Sequence, residues 1–562
     1  MTKIYVIDFE NNNNKYNIEN NITNLWLADI CSLDDYSHNT VTNIDDFIQK
    51  IKELSPAIFY SHNLKYDGIF IIDYLLNNGF THSTERKIQE KQFSTLITVE
   101  GVFYNIKVNF EDKSKDKKAN KIAEFRDSLK KIKGSVEEIA YSFDLPILKG
   151  SIDYEMLRPV DYKPTEKEIE YIKHDTEIIA RVLNKEYEKG LDRLTTASDA
   201  MAIYKQIVGT NFAFIFPELN YENDKYIRKS YRGGIVYLNP KYKEKLIEDK
   251  VYCFDVNSMY PFNMTDKPLP YGYPAFFKGK YIEDKTYPLY IQHIFVDCKL
   301  KPNRMPTILL DNVHYGKLTY VTDTDGEMLE LYLTKPDFEL LIDNYEIFDI
   351  KYIDGMKFYA SKNLFKKYII PLYENKCKTK GSEKQLNKIL LNGLYGKFAL
   401  NPKHQNKIPY MNTDNIVSFK NGQVSIDKTI YTAVSSFITG YSRKYLIDTI
   451  HQNYDNFIYC DTDSIHLLTP ELIGAPIDDK ELGAFKLEKV YIKSKYIAQK
   501  CYMGKKEDGK KDVKIAGCPK NIAKNISFDN FYIGNTFNGK LLPKKVKGGS
   551  VLITTAFTIK NR

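Results

Sequence analysis

YCDTDSIHL, residues 459–467, places two carboxylates, Asp461 and Asp463, two positions apart in a run of aromatic and β-branched residues. On a strand or a tight hairpin, the side-chain period of two turns both acids to one face. Two neighbouring anions without an adjacent Lys or Arg repel each other unless a cation lies between them. Mg²⁺ suits such a pair, because it prefers oxygen ligands and is commonly held by few carboxylates together with substrate phosphates. An ordinary acidic turn is the alternative interpretation of a single D-x-D.

Length and composition indicate a multidomain protein. The 562 residues are too many for one hydrophobic core, and 43% hydrophobic and 27% charged residues are ordinary for a globular protein. No apolar run is long enough to span a membrane, and MTKIYVIDFE enters a strand pattern at once without a signal peptide. We therefore expect a cytoplasmic protein that does not bind membranes. The seven cysteines form no CxxC pair, which predicts reduced thiols rather than zinc ligands or disulfides.

Charge is distributed unevenly along the chain. Residues 484–562 carry 18 Lys and Arg against 5 Asp and Glu, whereas residues 1–483 carry 63 against 68. A basic C-terminal region on an acid-rich body is typical of a polyanion track beside metal-binding carboxylates. A solvated lysine-rich surface would give the same counts.

Three separated N-terminal segments each offer a carboxylate at the end of a predicted element. The strand pattern IYVIDFE ends with Asp8 and Glu10 on one side. Asp67 lies where a short strand runs into the helical pattern IFIIDYLL, a usual place for ligand residues on an α/β sheet. The third carboxylate comes from a helix further along the chain.

That helix begins at Thr165, with Glu168 completing a capping box, and carries Tyr171 and Asp175 one turn apart on one face. Asp8, Glu10, Asp67 and Asp175 together could build a two-ion site that clamps the attacking and leaving oxygens in phosphodiester cleavage. Tyr171 could orient the attacking water.

Here the chain resembles a known family. DFE, HNLKYDG and YIKHD resemble the three exonuclease motifs of family B DNA polymerases that proofread from 3′ to 5′. DSLKK at residues 127–131 and LKGSIDY at residues 148–154 resemble segments of the protein-primed subgroup of small tailed bacteriophages. The resemblance implies that Ser128 and Leu129 hold the frayed primer end and that Lys149 assists the exonuclease site. It also implies contacts to the single-stranded primer from His62, Asn63 and Tyr66.

VYCFDVNSMYP, residues 251–261, is a strand pattern that delivers Asp255 and then turns. It resembles motif A of the same family. The resemblance makes Asp255 a metal ligand, places Ser258 near the incoming triphosphate and makes Tyr260 the steric gate against a ribose 2′-hydroxyl.

Residues 364–398 read as helix, Lys/Gly-rich turn and helix. KILLNGLYG in the second helix puts Lys388, Asn392 and Tyr395 on one face, where a lysine suits a triphosphate and an aromatic ring can stack on a base. This resembles motif B of the fingers, which implies that Lys388 contacts the phosphates and that Asn392 and Tyr395 line the nucleotide pocket.

Two more lysines and one departure belong to this resemblance. Lys376 would be a second phosphate contact and Lys384 a template contact. Gly393 stands where the family pattern has serine. Glycine there is expected to cost up to about 1 kcal/mol of helix stability and, by removing a hydroxyl, to shift nucleotide positioning slightly.

With Asp255, the opening pair resembles motif C. In the two-metal scheme one ion lowers the pKa of the attacking 3′-hydroxyl, and the other steadies the triphosphate and the leaving pyrophosphate. Asp463 is our predicted direct ligand beside Asp255, and Asp461 is predicted to shape the electrostatics around them.

Two short motifs complete the DNA path. Lys500-Cys501-Tyr502 resembles the KxY motif that steadies the primer terminus. YRGG supplies Tyr231, and Gly233 and Gly234 there would let backbone approach a phosphate closely. In the family this motif links the exonuclease and polymerase modules and holds the template strand.

The implied fold is a multidomain α/β and α+β protein, with a ribonuclease H-like exonuclease domain followed by a right-hand polymerase with two subgroup-specific inserts. The expected boundaries are 1–190 for the exonuclease and 191–562 for the polymerase, with palm 191–265 and 431–520, insert one about 266–360, fingers about 361–398, insert two about 399–430 and thumb about 521–562. EDKSKDKKANK at residues 111–121 is expected to be a surface loop.

The first hypothesis is a protein-primed, strand-displacing DNA polymerase with a proofreading exonuclease that replicates a linear phage genome. Its implied cofactor is Mg²⁺, two ions per site, with Mn²⁺ possible in its place. Its implied partners are primer-template DNA, a displaced single strand, dNTPs and a terminal protein, and a monomer is expected. A nuclease whose polymerase half is only a DNA clamp is a second hypothesis. A repair polymerase primed by nucleic acid, without terminal protein, is a third.

Overall fold

The computed structural model describes residues 2–111, 120–153, 156, 158–159, 161–310 and 319–561. Most of the expected surface loop, residues 112–119, lies outside the described residues, as does Tyr154 at the end of LKGSIDY. None of the helices in the described segments is both long and apolar enough to cross a bilayer. All seven cysteines belong to the described part of the chain, and each carries a free thiol.

The N-terminal part is built on one eight-stranded sheet. Its strands are β1 (Lys3–Asn11), β2 (Leu25–Ser32), β3 (His38–Val41), β4 (Ala57–Ser61), β5 (Thr81–His82), β6 (Gln92–Ile97), β7 (Phe103–Glu111) and β8 (Lys121–Asp127). Their order is β3-β2-β1-β4-β8-β7-β6-β5, with β1 parallel to β4 and β4 parallel to β8. The helices are α1 (Lys15–Asn20), α2 (Ile44–Leu54), α3 (Leu64–Asn77), α4 (Val136–Ser142) and α5 (Glu166–Glu188).

Helices cover both faces of this sheet, which explains the continuous apolar runs in β1 and β4. Phe47 of α2 and Phe70 of α3 lie in one core, and Ile179 and Leu183 of α5 lie in the other. The predicted capping box of α5 is confirmed. The Thr165 side chain accepts a hydrogen bond from the backbone N–H of Glu168, and the Glu168 side chain accepts one from the backbone N–H of Thr165. The predicted strand through Asp8 is confirmed as well.

The second part begins with helices and a central antiparallel sheet. The elements up to the first insert are α6 (Thr196–Val208), α7 (Phe212–Ile215), α8 (Tyr221–Arg228), β9 (Val236–Leu238), β10 (Leu246–Ile247), β11 (Val251–Val256) and α9 (Met259–Asp266). The next are β12 (Leu269–Lys278), β13 (Leu289–Leu300), β14 (Leu309–Leu310), β15 (Thr319–Tyr320), β16 (Leu329–Thr334), α10 (Lys335–Asn344) and β17 (Tyr345–Ser361). Four of these strands form a separate sheet in the order β12-β17-β13-β16.

The remaining elements include the other strands of the central sheet and the C-terminal strands that follow them. They are α11 (Lys366–Lys378), α12 (Gly381–Phe398), β18 (Lys403–Met411), β19 (Val417–Ile426), α13 (Ala433–Gln452), β20 (Phe457–Asp461), β21 (Ser464–Leu467), β22 (Phe485–Tyr491), β23 (Lys493–Ala498), β24 (Cys501–Lys505), β25 (Lys511–Ile515), α14 (Lys520–Ala523), β26 (Thr536–Val546) and β27 (Gly549–Thr558). The helix–turn–helix prediction is confirmed by α11 and α12, and the second expected insert, at about 399–430, contains the antiparallel hairpin β18–β19.

The central sheet has the order β22-β11-β21-β20-β9. Helix α13 covers one face through Leu446, Ile447 and Ile450, which pack with Phe457 and Ile465 of the sheet. The strands that carry Asp255 and Asp461 are therefore held rigidly from behind, while their ends stay accessible.

Candidate active sites

The opening pair lies on a tight hairpin. Strands β20 and β21 pair with Asp461 opposite Ser464, so Thr462 and Asp463 form the two-residue turn. Thr462 has a left-handed backbone (φ 61°), and the Asp463 N–H donates to the Asp461 carbonyl at 2.7 Å. Strand β11 lies beside β21 with Asp255 opposite Ser464. The register thus brings together Asp255, Asp461 and Asp463, of which the first and last are 208 residues apart in sequence.

Asp255 and Asp463 lie in an environment that disfavours the ionised form of both carboxyl groups. Burial raises the pKa of Asp255 to about 7, with repulsion from Asp463 and Glu488 adding to it. Burial and repulsion from Asp461 raise the pKa of Asp463 to about 6. A cation between the two carboxylates would offset this repulsion and favour their ionised forms.

Asp461 is engaged by neighbours in a different way. Lys500 Nζ lies 3.1 Å from Asp461 Oδ1, and the Thr462 hydroxyl donates to the same oxygen at 3.0 Å. The hydroxyl of Tyr459 accepts from the Lys500 backbone N–H at 3.1 Å. Asp461 therefore joins the hairpin to the Lys500 segment, an arrangement consistent with its predicted supporting role.

Glu488 is an acid of this site that the sequence reasoning missed. It lies on β22 at a register shift, because Phe254 pairs with Leu487 and Cys253 with Lys489. Its charge raises the pKa of both Asp255 and Asp463. The letters KLEKV carry no signal for this placement, which follows from the pairing of β22 with β11.

The helix pair α11–α12 faces the hairpin across the site. Lys376 Nζ donates to Ser258 Oγ at 2.9 Å, and the rings of Tyr260 and Tyr395 lie 4.2 Å apart. The charge of Lys388 lowers the pKa of Asp255, which places this lysine near the carboxylates. Lys376 and Lys388 thus lie near Asp255, and Tyr260 and Tyr395 lie near Asp463. Lys384, Lys388 and Asn392 expose their side chains, and the place of Asn392 in a nucleotide pocket stays a prediction.

Gly393 faces another neighbour than expected. A Cβ built there would point to α6, 3.4 Å from Ala197 Cα and 3.5 Å from the Thr196 carbonyl oxygen. The expectation that a missing hydroxyl shifts nucleotide positioning is therefore corrected, because a side chain at 393 would meet the packed surface of α6. A Cβ there would be in ordinary van der Waals contact with α6, so the packing of the two helices does not require glycine.

The two glycines of YRGG have different surroundings, and their predicted approach to a phosphate stays a prediction. A Cβ on Gly234 would lie 2.8 Å from Thr462 Cγ2, whereas a Cβ on Gly233 would meet nothing within 4 Å. The Thr462 N–H donates to the Ile235 carbonyl at 2.7 Å. Gly234 thus lets the YRGG loop touch the turn between the two aspartates.

We predict that Gly234→Ala displaces this turn and lowers the rate of DNA synthesis by about 100-fold, the cost of an error of roughly 1 Å in reacting groups. Gly233→Ala is the matched control, because its added methyl meets open space. Single-turnover nucleotide incorporation measures both. Equal rates in the two variants would show that contact with Thr462 does not position the turn.

The second acid cluster lines a cleft of about 570 Å³ beside β1. Asp8 and Glu10 come from β1, Asp67 from the first turn of α3 and Asp175 from α5. Each of these side chains lines the cleft, and so do Lys149 and Tyr171. The predicted constellation is therefore assembled in one place.

Burial dominates the electrostatics of this cleft. It raises the pKa of Glu10 to about 8 and that of Asp67 to about 7, and it raises the pKa of Asp8 still more clearly, with repulsion from Asp67 and Asp175 adding to it. The Ser61 hydroxyl donates to Asp67, which opposes the shift. The side chains of the protein alone do not neutralise the negative charge of four ionised carboxylates that lie this close together.

Lys149 balances part of this charge. Its ammonium group bonds to Asp175 and lies 5.0 Å from the centre of the Tyr171 ring. Burial raises the pKa of Asp175, and the charge of Lys149 opposes that shift. Lys149 thus has the contacts expected of a residue that assists this site.

The donor set of the cleft fits a hard cation. Four carboxylate side chains line the cleft, and carboxylate oxygens are the ligands that Mg²⁺ prefers. Among the described residues, no three His, Cys, Asp or Glu side chains are already arranged as ligands around a single point. The ligand roles of these acids accordingly stay predictions.

Of the residues predicted to hold the primer end, His62 and Asn63 line this cleft, and Ser128 contacts His62 from behind. His62 Nδ1 lies 2.8 Å from Ser128 Oγ, and Nε2 lies 2.8 Å from the Gly134 carbonyl oxygen. Ser128 is completely buried and also donates to the Ser61 carbonyl. Ser128 thus orients His62, while Leu129 and Asn63 are more accessible.

Tyr66 connects the cleft to the C-terminal hairpin β26–β27. Its hydroxyl donates to Asn11 Oδ1 at 2.9 Å and to the Ser550 carbonyl at 3.1 Å. Leu541 and Leu552 of the same hairpin line the cleft. The sequence reasoning missed both leucines, since nothing in the local pattern shows that the C-terminal hairpin packs against the N-terminal domain.

Tyr502 of the KxY segment lies deeper than a primer contact requires. It is 9% exposed, with its ring 5.1 Å from Tyr459 and stacked at 5.3 Å on Tyr496. Lys500 is the more accessible member of the segment. The observed packing indicates that Tyr502 supports the hairpin β20–β21 through its contact with Tyr459. Its contact with a primer remains a prediction.

We predict a pH dependence from the raised pKa values of Asp255 and Asp463. The folded protein binds protons there that the unfolded chain releases at lower pH, so without divalent ions the free energy of unfolding falls as pH rises through about 7. Urea unfolding in a chelator at a series of pH values should show a shallower fall for Asp255→Asn than for the unchanged protein. Identical slopes would contradict the raised pKa.

Comparisons with known proteins identify relatives over part of the chain and over nearly all of it. The family model described as DNA polymerase type B, organellar and viral, matches residues 157–480. The DNA polymerase of Bacillus phage B103 is 42% identical over 554 residues, which cover 95% of each chain. Phi29 DNA polymerase solved with primer-template DNA matches all of both chains at 36% identity with a TM-score of 0.93. The same enzyme solved with primer-template DNA and incoming nucleotide substrates matches all of both chains at 37% identity, with a TM-score of 0.92. The predicted fold class is thereby confirmed.

Proposed function

The chain belongs to the type B DNA polymerases of viruses and organelles, and we propose that it replicates a linear phage genome from a protein primer, displaces the non-template strand and removes its own errors. The observation that carries this proposal is the presence of two separate acid clusters in one chain, one beside Lys376 and Lys388 and one in the cleft of β1. A polymerase with a single activity would need only the first.

In nucleotide addition, the 3′-hydroxyl of the primer attacks the α-phosphorus of the nucleotide and pyrophosphate leaves. Lys376 and Lys388 bind the triphosphate as point charges. The Tyr260 ring, packed 4.2 Å from Tyr395, forms a wall that excludes a 2′-hydroxyl. Asp255 and Asp463 would hold Mg²⁺, which when bound supplies charge neutralisation on the phosphates and a lower pKa for the attacking hydroxyl.

In excision, water attacks the terminal phosphodiester of a frayed primer end. Asp8, Glu10, Asp67 and Asp175 are the acids that would hold metal there. Tyr171 orients the water, and the Lys149 ammonium, which bonds to Asp175, favours the ionised form of that carboxylate against the effect of burial. His62 and Leu129 hold the unpaired end at the rim.

Protein priming is supported by the two inserts. The first contains a sheet of its own, β12-β17-β13-β16, and the second is the hairpin β18–β19. Neither contributes a side chain to either acid cluster in the described part of the chain. A separate sheet and a separate hairpin that contribute no catalytic group are suited to binding a macromolecular partner. We assign the terminal protein as that partner. The domain boundaries given above belong to the same proposal.

The deciding experiment incubates the protein with a candidate terminal protein, labelled dNTP and Mg²⁺. Label bound covalently to the terminal protein supports protein priming, and Asp463→Asn serves as the control that should lose the label. Transfer of label only to a DNA primer would favour a polymerase primed by nucleic acid. Absence of both products, with excision intact, would favour a nuclease that uses its second half as a clamp.

A further inference from the structure

A cluster of six side chains joins helix α8 to the sheet of the first insert. Helix α8 directly precedes the YRGG loop, and the sheet lies on its outer side. We call this group the joint cluster; its members are Tyr226, Lys229, His293, Glu330, Tyr332 and Asp354. None of them belongs to either acid cluster, and no catalytic role was predicted for them.

Tyr332 is the centre of the joint cluster. Its ring stacks on His293 with centroids 4.1 Å apart and planes 9° from parallel. Lys229 Nζ lies 4.3 Å from the ring centre and donates to the Tyr332 hydroxyl at 2.9 Å. Tyr226 packs edge-on at 5.2 Å. A ring contacted from these sides has little freedom to move.

Hydrogen bonds lock the orientation of the stack. His293 is 8% exposed, with Nδ1 3.1 Å from Asp354 and Nε2 3.0 Å from Glu330. The Tyr332 hydroxyl donates to Glu330 at 3.0 Å, and the Tyr226 hydroxyl donates to Asp354 at 2.6 Å. Each hydroxyl, ring nitrogen and charged group of the joint cluster therefore has a hydrogen-bond partner within the cluster.

The cluster continues into the YRGG loop. Arg232 Nη1 donates to the Tyr332 carbonyl oxygen at 3.1 Å. Arg443 donates to the carbonyl oxygens of Arg232 and Gly233 at 2.7 and 2.6 Å. The next residue of the loop, Gly234, is the one that touches Thr462 of the catalytic turn.

We propose that Lys229 and Tyr332 are positioning residues for DNA synthesis, which hold the YRGG loop against the turn that carries Asp463. Their contacts described above are with one another and with neighbouring side chains and backbone of the protein, and they act through Arg232 and Gly234. The first insert therefore supports the geometry of the polymerase site, in addition to offering a surface for a partner. This inference rests on the assignment of DNA synthesis to Asp255 and Asp463.

Lys229→Ala tests the proposal without disturbing a core, because Lys229 is exposed. Loss of its hydrogen bond and its contact with the ring should raise the KM for primer-template or lower kcat by a combined factor of about 10. Lys225→Ala is the matched control, since Lys225 lies one turn earlier on α8, is exposed, and pairs only with Glu222 at 3.8 Å.

Three further measurements separate positioning from general damage. Excision of a single-stranded oligonucleotide should stay within about twofold of the unchanged protein, because the cleft beside β1 does not use this joint. Lys229→Arg, which keeps charge and can stack, should restore most of the synthesis. Tyr332→Phe keeps the stack, the ring contact with Lys229 and the carbonyl to Arg232 while removing the hydroxyl, so it should lose synthesis in the same direction as Lys229→Ala but to a smaller extent.

Equal synthesis by Lys229→Ala and Lys225→Ala would overturn the proposal, as would a parallel loss of synthesis and excision. Failure of Lys229→Arg to recover synthesis would also count against it. An unchanged protein that excised DNA but extended no primer would overturn the polymerase assignment itself, which is a different result.

Discussion

Asp463→Asn is expected to abolish nucleotide addition, by more than about 100-fold, while excision of a 3′ end continues at its normal rate. Asparagine keeps the size of the side chain but removes the charge that, with Asp255, would hold a cation. Asp255→Asn should have the same effect, because the two carboxylates face each other on β11 and the hairpin turn. Primer extension and oligonucleotide degradation, measured on one preparation, separate the two activities.

Asp249→Asn is the matched control for this prediction. Asp249 is exposed and lies two residues before β11, the strand that delivers Asp255. It should keep normal synthesis. Synthesis that persisted in Asp463→Asn or Asp255→Asn would place the polymerase site elsewhere, and a loss of both activities would indicate damage to the fold.

Asp8→Ala combined with Asp67→Ala is expected to remove excision by more than about 100-fold and to leave extension of a matched primer intact. Both side chains line the same cleft, and each raises the electrostatic cost of the other's charge. Because the folded state holds these carboxyls with raised pKa values, their removal should not lower the free energy of unfolding at neutral pH through lost charge interactions. Primers with a mismatched 3′ nucleotide give the readout, and the variant should also incorporate more errors.

Asp45→Ala provides the control, since Asp45 is an exposed acid on α2 of the same domain. It should excise normally. Normal removal of the mismatch by the Asp8 and Asp67 double variant would mean that the cleft beside β1 is not the excision site. A variant that lost extension as well would point to misfolding or to a dependence of one site on the other.

Local patterns located both acid clusters. A strand period of two put Asp8 and Glu10 on one side of β1, and a helical turn put Tyr171 and Asp175 together in the cleft. The hairpin at Asp461 and the helix pair α11–α12 were also predicted. These patterns can be read from sequence because each depends on neighbouring residues and backbone periodicity.

Contacts between distant segments could not be predicted in this way. Ser128 matched a primer-binding pattern, yet its hydroxyl is buried and orients His62. Tyr502 matched the KxY pattern but packs with Tyr459 and Tyr496. A motif names the residue type at a position, whereas the atom it touches depends on segments hundreds of residues away.

The sequence by itself determined the acids, their period along strands and helices, and the family to which they belong. Only the tertiary structure decided that Gly234 serves the approach to Thr462, that Gly393 faces α6, that Glu488 adds a charge beside Asp255 and that Leu552 enters the cleft beside β1. The physical reason is range: period and capping act within a few residues, whereas close approach, burial and repulsion arise only after the sheets and helices pack.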